Sequence, residues 1–216
     1  MDPLKHMAAF DPTQKAFSLI DEFKNFAFTP GLVLTDLAEV PGEDSFMAPR
    51  RRIVRYVYAQ DEWNVAQDWT LTAGLRHDRY SDFGGTTNPR AALVWDASVD
   101  LTAKVLYGRA FRAPSFSERY SVNNPVLRAN PDLKPERSDS YEVGVDQRFA
   151  KDRAKVEATW FDNRFKNQIT LVNSQYVNIN KTRAKGVELG VDLAPVRMLH
   201  VNGSYTFVDS SVVANT

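Results

Sequence analysis

The chain has 216 residues, with 27 basic and 27 acidic side chains and no cysteine. Zero net charge argues against a nucleic-acid binder that relies on a uniform positive field, and the lack of cysteine excludes disulfides, thiolate zinc sites and a cysteine nucleophile in this chain. Hydrophobic residues make up 43% and charged residues 25%. These values fit a soluble globule, but they also fit a membrane β-barrel, because barrel strands alternate polar and apolar residues.

The first part of the chain differs in pattern from the rest. Asp11 followed by Pro12 indicates a helix N-terminus, and apolar residues then recur at helical spacing as far as Phe26. Residues 36–50 contain acidic residues and two prolines, which are typical of a loop. The sequence therefore predicts a short helix and a loop, with no strand, before residue 53.

From residue 53 the period of apolar residues changes to two, which predicts strands with one apolar and one polar face. Several runs reach ten or more residues, the length that crosses a bilayer when tilted, whereas the strands of a soluble sandwich are shorter. Eight strands are predicted, near 53–64, 69–80, 89–96, 101–111, 137–149, 154–172, 175–193 and 198–209.

The predicted links between these strands alternate between two classes. The short links are 65–68, 97–100, 150–153 and 194–197. The longer links are 81–88 and 112–136, and a tight turn at 173–174 joins two strands long enough to project beyond a membrane. Short turns on one side and long loops on the other are typical of outer-membrane barrels.

No catalytic signature is present: there is no phosphate-binding loop, nucleophile elbow or zinc-binding helix motif. We therefore predict no enzyme activity, no metal site and no cofactor. The segment Y-G-R-A-F-R-A-P-S-F, which begins at Tyr107, closes a strand and opens the longest loop. Pro114, Pro131 and Pro135 stop ladder pairing at the two ends of this loop.

These motifs resemble the barrel of TonB-dependent outer-membrane receptors. The resemblance lies in two boxes, Phe111, Arg112, Ala113 and Pro114 and then Asn130, Pro131, Asp132 and Leu133, followed by S-D-S-Y-E-V-G-V. It continues upstream through L-T-A-G-L-R-H-D-R-Y and downstream through Y-V-N-I-N-K-T-R-A-K-G-V-E-L. The motifs stand in the order expected for the family and cover about residues 53–209.

The resemblance implies an all-β fold: an antiparallel transmembrane β-barrel segment of about eight long strands, with short periplasmic turns and long extracellular loops. It implies a bacterial outer-membrane receptor in contact with lipid, which takes up a scarce ligand such as a ferric siderophore or cobalamin. Residues 1–52 are then an extracellular-loop-like segment with a short helix, and residues 53–216 a partial barrel. Family transporters have about 22 strands, so we expect an internal or truncated piece.

The resemblance also implies partners. Energy would be relayed by TonB through a plug domain that we do not find in this chain, the ligand would be a small molecule or metal chelate, and no nucleic acid is involved. Residues 115–129 lack the histidine that haem receptors of the family often carry there, which argues against haem bound in that way. The polar groups of the loop that are candidates for ligand binding are Arg112, Glu118, Arg119, Tyr120, Asn123, Asn124 and Arg128.

Two other architectures fit the same pattern. A self-contained eight-stranded barrel, acting as a structural or surface-binding protein without transport, requires the strand near 209 to pair with the strand near 53. A soluble β-sandwich, acting as a binding module or hydrolase, requires a second sheet that buries the apolar faces.

Overall fold

A computed structural model describes residues 27–37, 50–122, 124, 126–151, 153–196 and 198–214. These residues form one antiparallel sheet, in which nine strands lie side by side in chain order. The strands are β1 (Ala27–Leu37), β2 (Arg50–Ala66), β3 (Trp69–Tyr80), β4 (Gly84–Ser98), β5 (Leu101–Arg112), β6 (Glu136–Phe149), β7 (Ala154–Val172), β8 (Gln175–Val196) and β9 (Leu199–Ala214). One short helix, α1 (Phe116–Tyr120), lies between β5 and β6.

The predicted alternation of polar and apolar residues produces a sheet with an apolar face and a polar face. Residues that pair across neighbouring strands share a face, and one such row joins Ala103, Val145, Ala158, Leu189 and Tyr205. The adjacent row on the opposite face contains polar residues and glycine. The all-β antiparallel prediction is therefore confirmed, with strands of 11 to 22 residues.

No other described part of the chain covers the apolar face. Among the described residues, the buried hydrophobic side chains are Val54 and Leu133. Trp160, Val187 and Leu189 remain 43%, 37% and 43% exposed. Because a soluble sandwich would bury these faces against a second sheet, the soluble β-sandwich does not fit this structure.

The size of the apolar face matches a bilayer. On β9 the apolar positions run from Leu199 to Phe207, and Asp209 follows on the same face. Eight steps of about 3.4 Å give roughly 27 Å along the strand. A tilt of about 40° reduces this to about 20 Å along the membrane normal, close to the roughly 25 Å apolar band of outer-membrane barrels.

Aromatic pairs in ring contact mark both ends of the apolar face, one stacked and one tilted. The Trp69 and Trp95 rings lie 5.2 Å apart, near the short-turn end. The Tyr107 and Tyr141 rings lie 5.1 Å apart, towards the loop end. This placement fits the interfacial girdles of membrane barrels.

The sheet is open over the part of the chain that the structure describes. β9 pairs with β8, and β2 pairs with β1 and β3. The pairing of the last strand with the strand at residue 53, which a self-contained eight-stranded barrel requires, is not formed. The described residues also contain no helix long and apolar enough to cross a membrane.

The structure contains a ninth strand that the sequence did not predict. β1 pairs with β2 from Ala27↔Gln60 to Leu37↔Arg50, although no strand was predicted before residue 53 and its last two residues were assigned to a loop. Pro30 and Gly31 interrupt the strand pattern in the sequence. Proline is nevertheless tolerated in a strand where its N–H side lacks a ladder partner. The helix predicted up to Phe26 lies outside the described residues, and the division at residue 52 stays a prediction.

The longer link predicted at 81–88 was also wrong. β4 begins at Gly84, so β3 and β4 are joined by three residues only. Gly84 has a φ of +99°, a conformation that glycine adopts without strain. The residues that follow are small or polar, and Thr86 is buried opposite Asp78, which is also polar. The start of β4 therefore shows no alternation of polar and apolar residues in the sequence.

Candidate functional site

The loop between β5 and β6, residues 113–135, begins with a helix fixed by its own side chains. Ser115 Oγ accepts a hydrogen bond from the Glu118 amide at 3.2 Å, and Glu118 Oε2 accepts one from the Ser115 amide at 2.7 Å. This reciprocal capping box stabilises a helix start. The α1 turn, only five residues long, therefore depends on local capping and on its contacts with the strands.

Arg112 joins the two ends of this loop. Its guanidinium donates to Glu136 at 2.7 and 2.8 Å and to Glu118 at 3.1 Å twice. Glu136 Oε1 also accepts from the Ile169 amide at 2.7 Å, which ties the loop end to β7. Burial raises the pKa of Glu118, but the hydrogen bonds from Arg112 and Ser115 outweigh it and hold that pKa below its ordinary value.

A cluster of buried charges attaches the loop to the turn between β3 and β4. Arg52 forms a salt bridge with Asp82 at 2.6 Å, donates to Pro114 O at 2.9 Å and lies 4.7 Å from the Phe116 ring centre. Arg119 donates to Leu133 O at 2.6 Å and to Asp82 O at 3.1 Å. Both arginines are buried.

The far part of the loop is attached to the tip of the β7–β8 hairpin. The Arg128 amide donates to Ser174 O at 2.7 Å, and Asn130 Nδ2 donates to Tyr176 O at 3.0 Å. Asn178 donates to Lys134 O and accepts from the Lys134 amide, each at 2.9 Å. The long loop is thus held between the β3–β4 hairpin and the β7–β8 hairpin. We call this network the loop clamp; its members are Arg52, Asp82, Arg112, Pro114, Ser115, Glu118, Arg119, Arg128, Asn130, Leu133, Lys134, Glu136, Ser174, Tyr176 and Asn178.

The two sequence boxes supply the anchors of the loop clamp. Pro114 is fully buried and Leu133 is 1% exposed. Asn130 also accepts a hydrogen bond from the Asp132 amide at 2.9 Å, which shapes the turn chemistry expected of N-P-D. The other members of the boxes, Phe111, Ala113 and Pro131, lie beside these anchors in the chain.

The seven ligand candidates fall into different environments. Arg112, Glu118 and Arg119 are engaged within the loop clamp, and Tyr120 donates to Asp82 Oδ2 at 3.3 Å. Asn124 Oδ1 accepts from the amides of Val126 and Leu127, each at 2.9 Å. Arg128 is exposed, and its guanidinium makes one long contact of 3.4 Å with Asn173 O. Asn123 lies outside the described residues, and the ligand-binding role of the set stays a prediction.

Sequence reasoning missed the residues that hold the loop clamp from outside. Arg52, Asp82 and Asn178 are separated from their partners by 30 to 62 positions in the chain. No local spacing reveals such contacts. The one usable signal was Arg52 itself, since it stands in a run of three arginines at a strand start.

A depression on the polar face of the sheet surrounds Arg90. One row of paired residues runs Gln60, Gly74, Arg90, Gly108 and Ser140. The Arg90 side chain lies across Gly74, where an added Cβ would meet its Nε at 3.1 Å, whereas no atom lies within 4 Å of a Cβ at Gly108. The two glycines therefore make room for Arg90 on one side and for a cavity of about 340 Å³ on the other.

Arg90 brings positive charge into this depression. Its guanidinium donates to Tyr58 Oη and Gln60 Oε1, both of which are neutral acceptors. A second cavity of about 300 Å³ adjoins it and is also lined by Arg76, Asn88 and Arg109. Arg76 is paired with buried Asp78 and Arg109 with Asp139, each at 2.6 Å. Among the three arginines that line the two cavities, Arg90 is therefore the one whose hydrogen-bond acceptors are neutral, and Glu142 lines the first cavity with it.

The comparison with protein families gives one match over most of the chain. The family model for the "TonB dependent receptor-like, beta-barrel" matches residues 16–216. The chain is 29% identical over 175 residues to the iron-regulated outer membrane virulence protein of Vibrio cholerae, and 30% identical over 149 residues to the vitamin B12 transporter BtuB of the same species. The matches cover 71% and 67% of this chain.

The sheet is also similar to a solved structure. The siderophore receptor PirA from Pseudomonas aeruginosa superposes with a TM-score of 0.75 at 25% identity over 90% of this chain. The chain spans only 38% of PirA and about a quarter of the two Vibrio cholerae proteins, at 27% and 23%. The likeness therefore concerns one part of a larger barrel.

Proposed function

Because the chain belongs to the TonB-dependent receptor family, we propose that it forms part of the barrel wall and outer loops of a receptor that takes up a scarce ligand across the bacterial outer membrane. The ligand class is a ferric siderophore or cobalamin, and TonB relays the energy through a plug domain. The proposal is supported by the family match, by relatives named for iron regulation and for vitamin B12 transport, and by an apolar face of bilayer height.

The environment of Arg90 favours an anionic chelate within that class. A guanidinium with neutral hydrogen-bond partners keeps its full charge for a ligand, and it presents a planar fork suited to anionic oxygens. Its Cζ lies 5.2 Å from the Tyr58 ring centre, so one side of the cavity also offers an aromatic surface. These features fit a ferric chelate with negatively charged oxygens better than an uncharged ligand.

The candidate loop residues divide into two roles under this proposal. Arg128 is the group whose side chain is exposed and little used by the protein, so we assign it to direct ligand contact. Arg112, Glu118 and Arg119 hold the loop and act as positioning residues. Tyr120 is a positioning residue as well, since its hydroxyl contacts Asp82 and its ring lies 4.8 Å from Arg50 Cζ.

Uptake by living cells tests the proposal. The gene is expressed in a Gram-negative host that lacks its own siderophore and cobalamin receptors, and growth is measured with ferric siderophores or cobalamin as the sole source of iron or cobalamin. We expect TonB-dependent growth on a ferric siderophore, and at least tenfold weaker ligand binding for Arg90→Gln. Arg153→Gln, at the short-turn end, is the matched control.

Two outcomes separate the alternatives. Growth on cobalamin but not on any ferric chelate would move the ligand to the second class. Growth that persists unchanged when TonB is deleted, with the protein present in the outer membrane, would contradict energised uptake.

A further inference from the structure

A belt of basic side chains lies beyond the apolar band, on the same face of the sheet and towards the loop end. Arg109 pairs with Asp139, Asp139 with Arg164, and Arg164 with Arg183. Because directly paired residues share a face, this row continues the face that carries Tyr141, two residues from Asp139 on β6. The members of this outer basic belt are Arg109, Arg137, Arg164, Lys166, Lys181, Arg183 and Lys185.

Buried carboxylates fix the position of the belt. Asp162 is 1% exposed and accepts hydrogen bonds from Arg164 and Arg183 at 2.8 and 2.7 Å. Asp139 is 4% exposed and contacts Arg109 at 2.6 Å and Lys166 at 3.8 Å. Each carboxylate therefore lies beneath two cations, which leaves one positive charge unbalanced at each place.

The belt carries a surplus of positive charge at its surface. Within the described strands, its seven cations face three carboxylates, the third being Asp209, which is 3.4 Å from Lys185. Arg164, Lys166 and Lys185 side chains are 51%, 46% and 47% exposed. They point away from the polar face and the loop clamp, so the ligand-binding side of the protein does not use them.

The position next to the apolar band identifies the partner. Tyr107 and Tyr141 mark the end of the band, and the cations follow within one or two rows. In a bilayer, the groups directly above the acyl chains are lipid headgroups, and basic pockets at this level bind anionic ones. A lipid contacts the belt with its headgroup and the apolar band with its acyl chains, whereas a free anion or a soluble protein would not contact both.

We propose that the outer basic belt binds the phosphate groups of a phosphorylated lipid of the outer leaflet, whose acyl chains lie on the apolar face below. The inference rests on the proposed outer-membrane location. It adds a lipid site on the outside of the barrel wall, and of the belt residues only Arg109 also borders a cavity on the polar face.

Three lysines allow a test that preserves the buried carboxylates' arginine partners. The protein, as its gene encodes it, is purified from outer membranes with Lys166, Lys181 and Lys185 all changed to Gln. The matched control changes Lys104, Lys151 and Lys155 to Gln, on the polar face or at the short-turn end. Lipid A with both phosphates, lipid A without them and inorganic phosphate are each titrated and followed by native mass spectrometry.

The belt variant should bind diphosphorylated lipid A about a hundredfold more weakly than the unchanged protein. This value follows from about 1 kcal/mol per basic residue near an anionic membrane surface and about 1.4 kcal/mol per tenfold. The control variant should bind it like the unchanged protein, and dephosphorylated lipid should bind weakly to all three.

Equal binding of phosphorylated lipid by the belt variant and the unchanged protein would overturn the proposal, as would belt-dependent binding of inorganic phosphate as tight as that of the lipid. Ligand-dependent growth, measured in parallel, keeps the two claims separate. A belt variant that loses lipid but still supports uptake supports the lipid site, whereas protein that never reaches the outer membrane contradicts the location itself.

Discussion

The loop clamp and the apolar face are ordered by different forces, although both belong to the same nine strands. The loop clamp is built from buried charges with defined partners, such as Arg52 with Asp82 and Arg119 with Leu133 O. The apolar face consists of half-exposed side chains that contact no second layer within the described part of the chain. Over the described residues, the sheet thus has its specific contacts at one end and an uncovered apolar surface along its length.

The largest effect is expected where the loop clamp loses a buried charge. Arg52→Ala leaves the Asp82 carboxylate and Pro114 O without this donor and removes the contact with the Phe116 ring. Loss of one partner from a buried pair costs about 3–5 kcal/mol, so the loop should open locally. Hydrogen exchange of residues 113–135 should become faster, while exchange in β7 and β8 should not change.

The matched control for this prediction is Arg153→Ala, at a short turn on the opposite end of the sheet. If hydrogen exchange of the loop is equally slow in Arg52→Ala and in the unchanged protein, the buried pair does not hold the loop.

The apolar face should respond to charge rather than to packing. Leu189→Arg introduces a cation at the middle of the apolar band, which costs about 2–4 kcal/mol in a membrane barrel. Glu188→Arg, one residue earlier and on the polar face, should cost less than about 0.5 kcal/mol. The free energy of unfolding in lipid vesicles, measured by denaturant titration, compares the two, and equal losses would contradict the assignment of the faces.

The alternation of polar and apolar residues predicted most of the strands, but few of the contacts in the loop clamp. The period of two gave the positions of β2, β3 and β5–β9, because one face meets an apolar and the other a polar environment over many residues. It failed at β1, where Pro30 and Gly31 interrupt the pattern, and at the start of β4, where the buried partners are polar. The two boxes located the loop, but Arg52 and Asn178 reach it from distant parts of the chain.

The smallest expected effect comes from the partly exposed end of the loop clamp. The pKa of Glu118 is held below its ordinary value of 4.5, so its stabilisation of α1 is fully present above that pH and is lost as the pH falls through the lowered pKa. Hydrogen exchange of the α1 amides, corrected for intrinsic rates, should therefore become faster in acid. Glu118→Gln should remove most of this pH dependence and cost about 1 kcal/mol.

Persistence of the pH dependence in Glu118→Gln would assign it to another group of the loop. Retention of slow α1 exchange in this variant at neutral pH would show that the capping box contributes little.

The central claim, that one face of this sheet contacts lipid and the other lines an aqueous lumen, is tested most directly by single cysteines along β8. The chain has no cysteine of its own, so residues 187–192 can each be changed to cysteine in turn and spin-labelled in outer membranes. We predict that odd positions collide with oxygen in the hydrocarbon, whereas even positions collide with a water-soluble nickel complex. Accessibility to the nickel complex that is uniform from residue 187 to residue 192 would contradict the account.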